Sequence, residues 1–305
     1  MRITAKILML MGFWSGLQLA DLGDRAEASE PYRMGPVAAA MGGAGIAAVD
    51  GSESSFLNPA TLSHIQAYYV GIGHQQISHA SRGSHRDFSL VLSDGGPDHL
   101  AAGALSYVRR EALRAGPGAI SSTQDDIQFS LAGFLPPFGP QGRVMLGIGL
   151  TGRRLIHRDA QGTLTQDTGS FGLILPFNEN WGVGFVARDL AASADSVATE
   201  ARLRPVLGFG LQGQLHELLR VRADVLKAQK WNPNQKLDFR LGMESFFRKE
   251  FAFRLGTARI ESMDENWVTV GLGFIGPRLS FGYAYEQDTR SGASSRHTFD
   301  LWLPL

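Results

Sequence analysis

From about position 65 to the last residue, the chain falls into packets of about ten residues in which apolar and polar side chains alternate with period two. The second half shows it best. Leu219, Val221, Ala223 and Val225 fall on one face, with Arg220, Arg222 and Asp224 on the other. Leu237, Phe239, Leu241 and Met243 then oppose Asp238, Arg240, Gly242 and Glu244, and Phe251, Phe253 and Leu255 oppose Ala252, Arg254 and Gly256. In 144–150, 181–185, 207–211, 268–274 and 279–285 glycine or another small residue takes many of the second-face positions, and 298–303 ends the chain on a further packet. With weaker packets at 65–76, 87–93, 100–109, 126–134 and 165–175, the pattern predicts about 14 strands.

A soluble sandwich alternates in the same way, so the connections decide between a second sheet and lipid as the neighbour of the apolar face. Long polar stretches at 77–86, 110–125, 157–164, 190–203, 228–236, 259–266 and 287–296 take turns with short ones at 94–98, 136–142, 178–180, 214–218, 247–250 and 276–277. Long connections at one end and tight turns at the other are the habit of outer-membrane barrels. The expected fold is therefore all-β: a transmembrane antiparallel barrel of about 14 strands with both ends on the turn side. Tyr68, Tyr107, Trp181, Trp267, Tyr285 and Trp302 stand near strand ends and are candidates for interfacial girdles.

The N-terminus fits this destination. Arg2 and Lys6 precede an apolar run from Ile7 to about Ala20, and Ala26-Glu27-Ala28 supplies small residues at the cleavage positions, so 1–28 reads as a signal peptide. Ser15, Gly16 and Gln18 interrupt a run shorter than the roughly 20 residues of a membrane helix. The chain has no cysteine, so no disulfide holds the exported fold. Basic and acidic residues balance at 29 each, which gives no reason to expect a nucleic-acid partner.

Residues 29–64 do not alternate. Arg33-Met34-Gly35 is followed by Ala40-Met41-Gly42-Gly43-Ala44-Gly45-Ile46-Ala47 and, about a dozen residues later, by Asn58-Pro59-Ala60. This small-residue stretch and its Asn-Pro-Ala turn resemble the N-terminal segment of FadL-like barrels, a group that includes long-chain fatty acid transporters and the PorV-like proteins of secretion systems. The likeness is specific over about 30 residues and architectural over the rest. It implies a luminal hatch at 29–64, carried by Met41, Gly42, Gly43, Gly45, Asn58 and Pro59, ahead of a barrel at 65–305. It further implies passive transport of small hydrophobic compounds such as fatty acids across the bacterial outer membrane. The alternative is a non-transporting PorV-like scaffold for a secreted or surface protein. Physical reasoning agrees with a filler: eight strands close on their own side chains and sixteen leave a channel, so about 14 leave space. Asn58, before proline, is expected to be extended.

Arg220, Arg222, Asp224, Asp238, Arg240, Glu244 and Arg254 gather on the inward faces of neighbouring strands. Guanidiniums and carboxylates across strands form either a structural ladder that anchors the hatch or a ligand site for an acidic head group. Inward glycines at 147, 149, 182, 184, 208, 210, 271 and 273 either admit a plug backbone or mark kinks for a lateral exit. His74, His79 and His85 match no metal-ligand spacing. Gly43-Ala44-Gly45 lacks the preceding strand of a dinucleotide site, and no G-x-S-x-G occurs, so neither a cofactor nor catalysis is expected.

Overall fold

The computed structural model describes residues 35–48, 50–51, 53–65, 67–79, 83–96, 101–113, 120–136, 145–159, 162–190, 203–228, 237–261, 263–290 and 294–305. The expected signal peptide lies outside them. Fourteen strands form the wall: β1 (Tyr68–His79), β2 (Gly83–Asp94), β3 (Ala102–Leu113), β4 (Ile120–Phe134), β5 (Gly147–Asp159), β6 (Gly162–Pro176), β7 (Trp181–Leu190), β8 (Val206–His216), β9 (Leu219–Ala228), β10 (Asp238–Phe247), β11 (Phe251–Ile260), β12 (Glu265–Ile275), β13 (Ser280–Asp288) and β14 (Ser295–Pro304). Each pairs antiparallel with its neighbours in sequence, and β1 pairs with β14 from Tyr69↔Pro304 to Ser78↔Ser295. The ring is closed, so no strand edge is left unpaired, which is the condition for a sheet to cross hydrocarbon.

The two faces are inverted relative to a soluble protein. Ile72, Leu150, Phe209, Leu241, Phe253 and Leu272 point outward and are each more than half exposed. Gln75, Gln128, Thr151, Thr269, Glu286 and Thr298 point inward and are buried. An apolar belt running round a closed ring is a surface for lipid rather than for water.

Two expectations change. The polar stretches at 77–86 and 157–164 are largely strand: β1 and β2 stay in register up to His79↔Gly83, and β5 and β6 up to Asp159↔Gly162. Alternation of polarity ends where the apolar belt ends, but backbone pairing continues beyond it into water, so the pattern under-reads strand length. The connection at 135–146 on the turn side is longer than those at 80–82 and 160–161 on the other, but the longest of all, 191–205, keeps to the predicted long end, so strand extension carries part of the length asymmetry and loops the rest. The girdle assignment also fails in part. Tyr68 faces outward, but Trp267 and Trp302 are buried on the inner face.

Arg153 and Arg154, adjacent on β5, show what facing means energetically. Arg153 points inward, bonded to Asp126 at 2.7 Å and to Asp189 at 2.8 Å, and Arg154 points outward to Asp167 at 2.7 Å. Removing one member of a buried ionic cluster strands the others, at a cost of about 3–5 kcal/mol, whereas exposed pairs contribute little. Arg153→Ala is therefore expected to shift urea unfolding in lipid vesicles by about that amount. Arg154→Ala is expected to leave the curve where it is.

Candidate functional site

The described residues between 35 and 65 run along the buried inner face. The helix Pro36–Ala40 packs on β11–β14, and the 3₁₀ helix Pro59–His64 packs on β3–β6. Those two groups of strands stand opposite each other in the ring, so the segment crosses the lumen. Ala38, Ala39, Ala40, Met41 and Ala44 are wholly buried.

Local chemistry explains how the chain makes the crossing. Gly42 and Gly43 adopt φ of 68° and 81°, the left-handed region that glycine enters at little cost. A Cβ on Gly42 would also overlap the backbone of Thr257. Asn58 is extended at φ −154° and ψ 108°, as the following proline requires. Its Oδ1 caps Ala60 N at 3.1 Å, while its Nδ2 donates to Ile46 O at 2.7 Å and to Leu173 O of the wall at 3.0 Å. One buried amide thus ties two parts of the segment to each other and to β6.

The wall supplies the remaining bonds. Asp224 Oδ2 accepts from Gly45 N at 2.7 Å and Ile46 N at 3.0 Å, and Arg240 Nη1 donates to Gly43 O at 3.0 Å. Thr269 Oγ1 accepts from Gly42 N at 3.0 Å and donates to Ala40 O at 2.8 Å. Among the inward glycines, 147 and 149 lie under Ala60, 184, 208 and 210 under Ile46, and 271 under Ala40. Gly182 and Gly273 instead meet atoms of the wall itself.

The predicted charged residues therefore divide. Asp224 and Arg240 hold the segment. Glu244 pairs with Arg254 at 2.8 Å and more loosely with Arg220 at 3.6 Å, within the wall. Arg222 is buried with its Nε and Nη1 unpartnered. Asp238 sits at the polar end of β10, half-buried and opposite Leu226. Of the histidines weighed for metal, His74 binds Asp87 O at 3.1 Å and faces outward, His85 is buried, and nothing is described of the His79 side chain. No metal-ligand cluster occurs among the described residues.

Sequence reasoning missed Glu53. Its carboxylate, wholly buried, accepts from Val37 N at 2.9 Å and from Ala38 N at 2.9 and 3.0 Å, folding the segment back on itself. Burial, with Asp50 adding repulsion, pushes its pKa up to about 8. A raised carboxyl pKa favours the folded arrangement below the ordinary carboxylate range, and that contribution is lost as pH rises through about 8. Hydrogen exchange at Val37 and Ala38, corrected for intrinsic rates, is expected to show stronger protection at pH 5 than at pH 9. Glu53→Gln, which cannot titrate, is expected to flatten that difference. Thr269 was also missed, as an unremarkable residue within an alternating packet. The inner pairs Asp87–Arg110 at 2.8 Å and Glu286–Arg296 at 3.2 Å rest on register that spacing alone does not fix.

A closed antiparallel ring with lipid-facing apolar residues outside and a polar, charged interior defines an outer-membrane β-barrel. No protein-family model and no curated protein matches the sequence. Solved structures do share the fold. The CymD monoaromatic hydrocarbon channel is 15% identical with a TM-score of 0.63, covering 89% of this chain and 97% of that one. The toluene transporter TbuX of Ralstonia pickettii is 14% identical with a TM-score of 0.58, covering 90% and 98%. The toluene transporter TodX of Pseudomonas putida is 12% identical with a TM-score of 0.57, covering 92% and 99%. At these identities the likeness is one of fold.

Proposed function

We propose that this chain is a FadL-like channel for passive passage of small hydrophobic compounds across the bacterial outer membrane, with residues 29–64 as its hatch. The observation that carries the reading is the fold shared over nine-tenths of the chain with barrels described as hydrocarbon channels and toluene transporters. The lumen supports it in a specific way. Asp224, Arg240 and Thr269 of the wall are bonded to the crossing segment, and Asn58 of the segment is bonded to β6, so the interior is built to be occupied rather than to stand open as in a general porin. Passage then requires the segment to yield or the solute to leave through the wall. Both ends of the wall, Tyr68 and Pro304, lie at the turn end, which faces the periplasm.

The test is uptake into vesicles containing the full mature chain. Labelled toluene, and oleate as the fatty acid arm, are expected to enter faster than into empty vesicles, while glucose does not. Equal rates with and without the protein for both apolar solutes would overturn the reading. None of these observations favours the PorV-like scaffold for a secreted partner.

A further inference from the structure

At the turn end of the lumen lies a cavity of about 190 Å³ that the crossing segment roofs with Val37, Asp50 and Gly51. Arg220, Arg222 and Arg254 line it from β9 and β11. Arg254 donates through Nε to Glu244 and leaves its Nη1 unpartnered, and Arg220 approaches the same carboxylate at 3.6 Å. Arg222 has no acidic partner among the described residues. It is 3% exposed, its Nε and Nη1 are without hydrogen-bond partners, and it stands between Gly242 on β10, which offers no side chain, and Gln212 on β8, whose Oε1 is likewise unpartnered.

Among the described residues no carboxylate bonds to Arg222, although Asp224 Oδ1 and Glu244 Oε2 are themselves buried without hydrogen-bond partners. Asp224 receives Gly45 N and Ile46 N, and Glu53 receives Val37 N and Ala38 N. Within the cavity, Asp300 accepts the Trp302 indole N–H at 2.6 Å. A guanidinium buried without a fork of acceptors costs several kcal/mol, and a carboxylate meeting its two N–H groups is the partner whose geometry it matches. The opposite side is aromatic. Tyr69 and Trp302 stand edge to face at 6.4 Å and both border the cavity. A cavity of about 150 Å³ admits benzene, so the space here suffices for one ring.

We propose that this cavity is a binding site for a small aromatic carboxylate, its charge on Arg222 and its ring against Tyr69 and Trp302. The site is separate from passage of uncharged hydrocarbons. It is measured by equilibrium binding with no flux, so failure of either reading leaves the other standing.

The experiment is calorimetric titration of the full mature chain in detergent with benzoate, toluene and acetate, against detergent blanks. Saturable benzoate binding is expected, at least tenfold tighter than acetate or toluene. Arg222→Gln is expected to weaken it at least tenfold, and Arg222→Lys, which keeps charge but not the fork, by less. Gly51→Leu provides a variant that alters no charged residue: a Cβ there has the Tyr69 ring as its nearest neighbour, at 3.5 Å, and the longer side chain fills the cavity. Gel migration before and after heating checks that each variant is folded, and if Arg222→Gln is not, Gly51→Leu decides. The proposal is overturned by absence of saturable benzoate binding, by benzoate binding no tighter than toluene or acetate, or by unchanged affinity in the folded variants.

Discussion

A Gly256→Val barrel is expected to expose Met41 to water while its ring stays closed. Gly256 faces inward on β11, and a Cβ there would overlap the backbone of Met41 and Gly42. Backbone on both sides leaves no flexible side chain to swing away. Valine suits a strand, so the wall itself has no reason to reject it. Overpacking costs about 1–3 kcal/mol when neighbours can adjust, and the adjustment open to this site is for residues 41–42 to leave the wall. At 1.4 kcal/mol per decade, a loss of about 2 kcal/mol raises the detached population more than tenfold. In a Met41→Cys background, labelling by a water-soluble maleimide is expected to accelerate by that factor. Gly152→Val is the control, because a Cβ there meets nothing within 4 Å. If Met41→Cys stays equally protected in the Gly256→Val barrel, the packing account of the inward glycines fails.

The alternation of side chains made the ring legible because period two and lipid outside impose it on every strand. Phe239, Leu241 and Met243 cannot face inward without turning Arg240 and Glu244 into hydrocarbon. The ends of the strands were illegible for the same reason. Above the belt both faces are wet, so Gln76, Ser78 and His79 obey no binary rule, although β1 and β2 keep bonding there. Trp302 and Trp267 stand near strand ends, where place along the chain suggests girdle residues. Parity decides instead, for Trp302 shares the inward face with Asp300 and Thr298. In the crossing segment, glycines and an Asn-Pro pair announced tight backbone, and the structure finds left-handed φ at Gly42 and Gly43. Partners were hidden, because Asp224 and Gly45 stand 179 residues apart and only ring closure brings them together. Glu53 was hidden by its surroundings in sequence, where Ser52, Ser54 and Ser55 make it look like a residue of a solvated turn.

Asp224→Ala is expected to loosen the crossing segment more than any other single truncation on β9. Two backbone N–H groups, of Gly45 and Ile46, converge on one carboxylate oxygen in a site closed to water. Each N–H left buried without an acceptor costs about 1–3 kcal/mol, and charge on the acceptor places these bonds at the upper end. The expected loss is about 3–5 kcal/mol of attachment. It falls on the segment rather than on the ring, whose backbone bonds around Asp224 run to β8 and β10 through main-chain atoms. Because both donors reach the same oxygen, Asp224→Asn keeps that acceptor in place and gives up only its charge, so it is expected to retain about half the attachment. Maleimide labelling of Met41→Cys orders the three chains: wild type slowest, Asn intermediate, Ala fastest, with the ring's urea midpoint moving far less than the labelling rate. Equal labelling in the Asn and Ala chains would mean that charge, through Arg240, holds the segment. No acceleration in either would mean that Asp224 does not hold it at all.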